Sequence, residues 1–177
     1  MKKKVISLII IIIYFSMMLH LIYLSTYNNY TTNSTYSINA HKNYNDEIII
    51  DINEINLKLP VKKAKDDFSN LDKSLVYYKE FNPLNKVIIF GHSGVGYGAF
   101  FNRVDELKID DTAFIYIKDK CYFYSVYDIQ IVDKSAIYLL EDEPNSKKLY
   151  LITCVKNDNS KRLVVLLNLK NIKTIEK

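Results

Sequence analysis

Leu149-Tyr150-Leu151-Ile152-Thr153-Cys154 is an apolar, β-favouring run, and Arg162 follows eight residues after its last member. Val155 extends the run. Leu163-Val164-Val165-Leu166-Leu167 mirrors it beyond Lys156-Asn157-Asp158-Asn159-Ser160-Lys161, which is wholly polar and rich in turn formers. This pattern predicts two antiparallel strands joined by a long polar loop. Strand side chains alternate between faces, so a hairpin symmetric about Asp158 sets Cys154 opposite Arg162 on one face. A thiol beside a fixed cation is in the setting that favours thiolate. The hairpin alone equally allows an inert cysteine beside a surface arginine.

Some sixty residues upstream, Lys86-Val87-Ile88-Ile89-Phe90 is a short apolar run with the length of a buried strand, and Gly91-His92 follows it. The order of strand, Gly-His, a second long strand, Leu-Ile-Thr-Cys, polar loop and Arg-Leu-Val-Val resembles the sortases, cysteine transpeptidases of the Gram-positive cell wall. Their signature is a T-L-x-T-C strand, an arginine on the next strand, and a histidine after a strand with an upstream asparagine. Those positions here read Tyr150-Leu151-Ile152-Thr153-Cys154, Arg162, His92 and Asn85. Tyr150 departs from the pattern at the first threonine, which takes no part in the chemistry. The resemblance runs from about residue 47 to residue 172.

Composition narrows the field independently. The 177 residues make one domain plus extras, enough to bury a core. Net charge is +4, and Lys2, Lys3 and Lys4 supply most of it, so no nucleic-acid-binding surface is expected. Cys121 and Cys154 are the only cysteines, and with His20, His41 and His92 scattered along the chain they form no metal-ligand spacing. Neither a metal nor another cofactor is expected.

The chain starts basic, and Val5 to Leu24 is almost wholly apolar. Twenty helical residues rise about 30 Å, enough to cross the hydrocarbon core. That run exceeds a signal-peptide core, and no small-x-small cleavage site follows Leu24. Residues 1–26 therefore read as an uncleaved single-pass signal anchor in the cell membrane. The lysines lie on the cytoplasmic side and all that follows is extracellular. Residues 27–46, rich in Ser, Thr, Asn and Tyr without apolar period, read as a polar extracellular tether. Residues 47–177 form the catalytic domain, and no second membrane span is expected at its end.

Within that domain Ile48–Ile52 and Ile55–Leu59 read as strands, the second ending at Pro60. Phe68, Leu71, Leu75 and Tyr78 fall at helical spacing and predict an amphipathic helix over about residues 66–78. All four glycines crowd around His92, at 91, 94, 96 and 98, in a loop where backbone can approach closely. No lysine follows in Walker spacing, which excludes a phosphate loop. Phe100, Val104 and Leu107 suggest a short helix. Residues 113–117 and 121–132 read as a hairpin turning through Lys118-Asp119-Lys120. About eight β-rich runs and two or three helical patterns give a mainly β chain.

The resemblance implies more. Its fold is a closed eight-stranded β-barrel with short helices, here preceded by the transmembrane helix. Cys154 is the implied nucleophile on the Thr–Gly bond of a Leu-Pro-x-Thr-Gly-like sorting signal. His92 is the implied general acid and base, and Arg162 the oxyanion donor, with the Val155 backbone N–H beside it. Thr153 and Asn85 support the motif. The stretch 133–148 corresponds to the connection that walls the substrate groove, with Ile137 and Leu140 as candidates. The implied partners are surface proteins bearing the sorting signal and an amine of a peptidoglycan precursor. Some sortases bind calcium, but no ligand cluster here argues for it. The lack of a C-terminal anchor and the compact catalytic loop look most like class D, with classes A and B behind.

Two rival readings stay open. A papain-type thiol protease has its cysteine before its histidine, whereas His92 comes first here. An anchored β-domain that binds a partner without catalysis fits if Cys154 is inert. Cys121 is either incidental or a disulfide partner of Cys154.

Overall fold

The computed structural model describes residues 11–22, 47–94 and 98–175. Among these residues eight strands close into a barrel: β1 (Ile48–Ile52), β2 (Leu57–Lys63), β3 (Leu75–Tyr77), β4 (Lys86–Phe90), β5 (Thr112–Ile117), β6 (Lys120–Asp133), β7 (Lys148–Val155) and β8 (Asp158–Thr174). Around the barrel the order is β1-β2-β3-β4-β7-β8-β6-β5. Most neighbours are antiparallel, but β2 with β3 and β4 with β7 run parallel. The parallel β4–β7 pair carries the chain's two motif strands side by side, with Phe90 level with Ile152.

Alternation sorts each strand into an inner and an outer row. Val87 and Ile89, Leu149 and Leu151, and Leu163, Val165 and Leu167 point into the barrel, among the residues of its main core. The outer rows of the same strands, Ile88, Tyr150, Ile152, Val164 and Leu166, form a second apolar cluster. Leu139 covers it from a 3-10 turn at Ile137–Leu140, in the connection between β6 and β7. These strands are therefore apolar on both faces, which is why they read as continuous hydrophobic runs.

Several expectations are corrected. The helix over residues 66–78 does not form. Asp67 Oδ1 accepts the Ser69 amide at 2.9 Å, and Asn70 Oδ1 accepts the Lys65 amide at 3.1 Å. Asn70 Nδ2 donates to Lys63 O at 2.8 Å. Side chains that capture nearby backbone in this way compete with helix, and Phe68 sits at φ 56. Leu75 then enters β3 instead. The helices of this domain among the described residues are 3-10 turns, at Asn53–Ile55, Val104–Glu106 and Ile137–Leu140. Pro60 does not end β2. It pairs with Ile49 on β1, while the pairing of β2 with β3 starts only at Val61, so no partner needs its missing N–H.

Residues 156–161 are not a long loop. Only Lys156 and Asn157 turn, with Asn157 at φ 64, and β8 starts at Asp158. The polar residues join a strand because β6 extends alongside them: Asp133 pairs with Lys161, and the Lys134 amide donates to Ser160 O at 2.8 Å.

Residues 11–22 are helical and exposed. Among the described residues no helix is long and apolar enough to cross a membrane. The rest of the expected span, 5–10 and 23–24, and the whole tether, 27–46, lie outside the described residues.

Candidate active site

Three of the motif residues, His92, Cys154 and Arg162, gather where β4 ends, at the β7–β8 turn. Cys154 and Arg162 are Cα partners across β7 and β8. The next pair is Val155 with Asp158, so Asn159, Ser160 and Lys161 bulge from β8 without counterparts on β7. Cys154 follows Tyr150 and Ile152 along the outer row, and Arg162 precedes Val164 and Leu166 along theirs. Carrying the β4–β7 register two residues past Phe90 brings His92 level with Cys154. The Gly91 amide sustains that register by donating to Ile152 O at 3.2 Å. Three adjacent strands thus deliver His92, Cys154 and Arg162 to one end of the outer apolar face.

The Arg162 and His92 side chains each have a local anchor. Arg162 Nη1 donates to Asn159 O at 3.0 Å and to Lys161 O at 2.9 Å, both carbonyls of the bulge. A guanidinium carries five donors, so this grip fixes the fork while leaving Nε and Nη2 to other acceptors. His92 Nε2 meets Asp72 Oδ1 at 2.9 Å. Ser93 Oγ donates to Cys154 O at 2.6 Å, tying the histidine loop to the cysteine strand. Lys156, in the turn, pairs with Asp105 at 2.8 Å and ties the turn to the 3-10 segment behind the glycine loop. Cys154 itself is half-buried and free.

Glycine does structural work here at two positions. A Cβ on Gly91 would lie 2.6 Å from Leu75 and Phe101 side-chain atoms, so the chain passes flush over the core just before His92. Gly98, at φ +91, packs so closely on Asp72 that a Cβ would collide with its carbonyl oxygen.

The remaining sequence candidates divide. Thr153 points inward, 3% exposed, and its hydroxyl makes no hydrogen bond with a described residue. Val155 closes β7 directly after the cysteine. Leu140 packs against the outer cluster, and Ile137 lies in the adjoining 3-10 turn. Asn85 is not brought to the site. It lies before the other end of β4, roughly 20 Å of strand from His92, and its Oδ1 accepts the Asn145 amide at 3.0 Å. Tyr150, in place of the signature threonine, is buried in the outer cluster with Lys86 Nζ 5.4 Å from its ring centre. Burial pushes its phenol well above the usual range, with Tyr127 and Glu143 adding to the shift.

The disulfide alternative fails on geometry. Cys121 pairs with Lys173 and Cys154 with Arg162 on the same strand, β8. That separation is roughly 30 Å along the strand, against the 7 Å limit for bridging Cα atoms. Both thiols are free, and burial pushes the Cys121 thiol up from its ordinary value despite a hydrogen bond to Tyr116. Among the described residues no group of three or more His, Cys, Asp or Glu side chains is placed to hold a metal ion.

Sequence reasoning missed Asp72 and Ser93. Asp72 lay inside the stretch read as a helix, with no spacing to link it to His92. Ser93 stood next to the histidine, but a backbone-directed hydroxyl leaves no sequence pattern.

A family model described as a sortase domain matches residues 50–170. Sortase A of Bacillus anthracis is 32% identical over 119 residues, covering 66% of this chain and 56% of that protein. The chain thus matches little more than half the length of this curated relative. Among solved structures, sortase A of Listeria monocytogenes superposes with a TM-score of 0.67 at 17% identity, over 76% of this chain and 93% of that one. At that identity the likeness speaks for the fold. A lid mutant of sortase A from Corynebacterium diphtheriae gives a TM-score of 0.63 at 27% identity, covering 71% of this chain and 70% of that one.

Proposed function

This chain belongs to the sortase family, and from that membership we propose that it is a membrane-anchored cysteine transpeptidase. It cleaves a Leu-Pro-x-Thr-Gly-like sorting signal between Thr and Gly and passes the acyl group to a cell-wall amine. The observation that carries the proposal is the convergence of His92, Cys154 and Arg162 on one end of one barrel face.

The chemistry follows from the groups. Cys154 Sγ attacks the threonine carbonyl carbon, and the oxyanion that forms needs donors already in place. Arg162 offers Nε and Nη2 while the bulge holds Nη1, and the Val155 N–H lies one residue from the nucleophile. His92 gives a proton to the departing glycine nitrogen as the C–N bond breaks. The thioester is then attacked by the incoming amine, which loses its proton to His92. Leu140, half-buried against the outer cluster, is the candidate to meet the peptide's aliphatic side chains, with Ile137 beside it in the 3-10 turn. None of these steps requires a metal.

Class D remains the proposed subtype. The substrates are surface proteins bearing the signal, and the acceptor is an amine of a peptidoglycan precursor. Residues 1–26 anchor the chain with its N-terminus in the cytoplasm. The apolar run from Val5 to Leu24 and the exposed helix at residues 11–22 support that topology. A native membrane fraction carrying an N-terminus cut between Ser25 and Asn45 would refute it.

The test of function is the full-length chain with a panel of sorting-signal peptides and a small primary amine. Amine-dependent product at a Thr–Gly junction supports transpeptidation. Hydrolysis unaffected by amine indicates a thiol protease, and no cleavage of any peptide indicates a non-catalytic domain.

A further inference from the structure

His92 does not face solvent unaccompanied. Its Nε2 lies 2.9 Å from Asp72 Oδ1, and the two residues come from loops twenty positions apart in sequence. An exposed ion pair of this kind is often incidental, because ordering two free side chains offsets a screened attraction. Here the backbone beneath the carboxylate is already ordered. Asn70 brackets the loop, accepting the Lys65 amide and donating to Lys63 O. The Lys73 amide donates to Asn70 O at 3.2 Å, and Ser74 Oγ donates to the same oxygen at 3.2 Å. On the other side Gly98 presses on the Asp72 carbonyl, in a φ that disfavours any residue with a Cβ. Gly98 and Asp72 are packed backbone to backbone, so the contact asks only for side-chain ordering, of an imidazole 41% exposed and a carboxylate 80% exposed.

We propose that Asp72 is a positioning residue for His92. Its carboxylate holds the ring's rotation and fixes the proton on Nε2. A carboxylate is acceptor-only, so the nitrogen facing it must be the donor. Nδ1 is then the nitrogen that exchanges a proton with the reacting amines. In acylation the proton moves from Nδ1 of the imidazolium to the leaving nitrogen, as the Sγ–C bond forms and the C–N bond breaks. The neutral imidazole that remains still donates Nε2–H to Asp72. In the second half the incoming amine forms its C–N bond, the thioester breaks, and the amine proton returns to Nδ1.

This inference rests on the transpeptidase reading, but part of its test does not. Full-length protein with 15N-labelled histidine rings is compared with Asp72→Ala and Asp72→Asn above the usual imidazole titration range. The His92 signals are assigned by their loss in His92→Gln. The native ring should show widely separated nitrogen shifts, as one Nε2–H tautomer does. Asp72→Ala should narrow that separation, and Asp72→Asn, which keeps an acceptor oxygen, should largely preserve it. In the amine-transfer assay Asp72→Ala should lower kcat about tenfold, part of the 10²–10⁴ that general acid–base catalysis supplies, with KM within about twofold. Identical ring shifts in native protein and Asp72→Ala overturn the proposal, as does a loss confined to KM. If the native chain transfers no peptide yet the ring shifts respond to Asp72→Ala, the transpeptidase reading fails and the Asp72–His92 contact stands.

Discussion

Ser93 donates its hydroxyl to the carbonyl oxygen of Cys154 at 2.6 Å, so the residue after the histidine is bonded to the backbone of the cysteine. β4 stops two residues short of His92, and beyond Gly91 this bond continues the strand pairing by side chain. Removing it should loosen the level at which the two groups meet. Ser93→Ala is expected to cost about 1 kcal/mol in stability, the net worth of one hydrogen bond. Turnover should fall about tenfold, since small misplacements of reacting groups cost up to 10²-fold. Thermal unfolding and steady-state transfer check the two parts separately. Unchanged turnover would mean the ladder alone sets the level.

Arg162 grips its own bulge through Nη1, which holds the guanidinium in one orientation and leaves Nε and Nη2 as the donors of the proposed reaction. Lysine keeps the charge but has no fork, so it cannot hold the bulge and offer a fixed donor at once. Arg162→Lys should lose at least about 10² in acylation rate, the lower figure for removal of an oxyanion donor. Alkylation of Cys154 by a small reagent should fall far less, because a positive charge remains nearby. Rapid-quench acylation beside a labelling time course separates the two.

Glu143 joins the lower ends of β4 and β7. Its carboxylate accepts Lys86 Nζ at 2.9 Å and Lys148 Nζ at 2.7 Å, and the Lys86 side chain is 2% exposed. The hydrogen bond from Lys148 is the main cause that holds the Glu143 pKa below its ordinary 4.5, with Lys86 adding to it. A depressed carboxylate pKa contributes stability that is complete above the unfolded value and is lost as pH falls through the folded one. Glu143→Gln should therefore destabilise the protein by about 1 kcal/mol near neutrality, a figure discounted for solvent screening of a carboxylate about one-third exposed. The gap should close well below pH 4.5. Denaturant titrations of both proteins across that range decide it.

Thr153 fills the inner row, and its buried hydroxyl makes no hydrogen bond with a described residue. Valine has nearly the same shape without the polar atom. Thr153→Val is expected to raise stability by about 1 kcal/mol, the lower end of the cost of an unsatisfied buried group. A fall in stability, measured in denaturant, would show that the hydroxyl is satisfied in solution.

The legible parts of this molecule were those where one residue type has one use. Val87, Ile89, Leu149, Leu151 and their neighbours are apolar on both faces, and their run length and β-favouring composition read as buried strands. The eight-residue gap from Cys154 to Arg162 led to the right cross-strand pair, although the turn is tighter and the balance is made up by a bulge. Residues 66–78 mislead because their apolar residues are split between two groups. Phe68 meets Tyr78 and Phe90 in an aromatic cluster, while Leu75 enters the core. Helical period cannot reveal that Asp67 and Asn70 spend their side chains on the backbone. Asn85 was drawn to the site by its motif position, yet β4 runs away from it. Asp72 and Ser93 act through single hydrogen bonds between distant loops, and no periodicity encodes those.

The central claim is that Cys154 is the nucleophile of a peptide-transfer reaction, and the most direct measurement is the mass of the trapped enzyme. Full-length protein is mixed with a Leu-Pro-x-Thr-Gly peptide without added amine, quenched in acid, digested and mapped. The expected result is an adduct retaining the peptide up to its threonine, on the fragment containing Cys154. That adduct should be discharged by a primary amine, absent from Cys154→Ala and undiminished in Cys121→Ala. An adduct on Cys121, or none under conditions where the peptide is cleaved, would contradict the account.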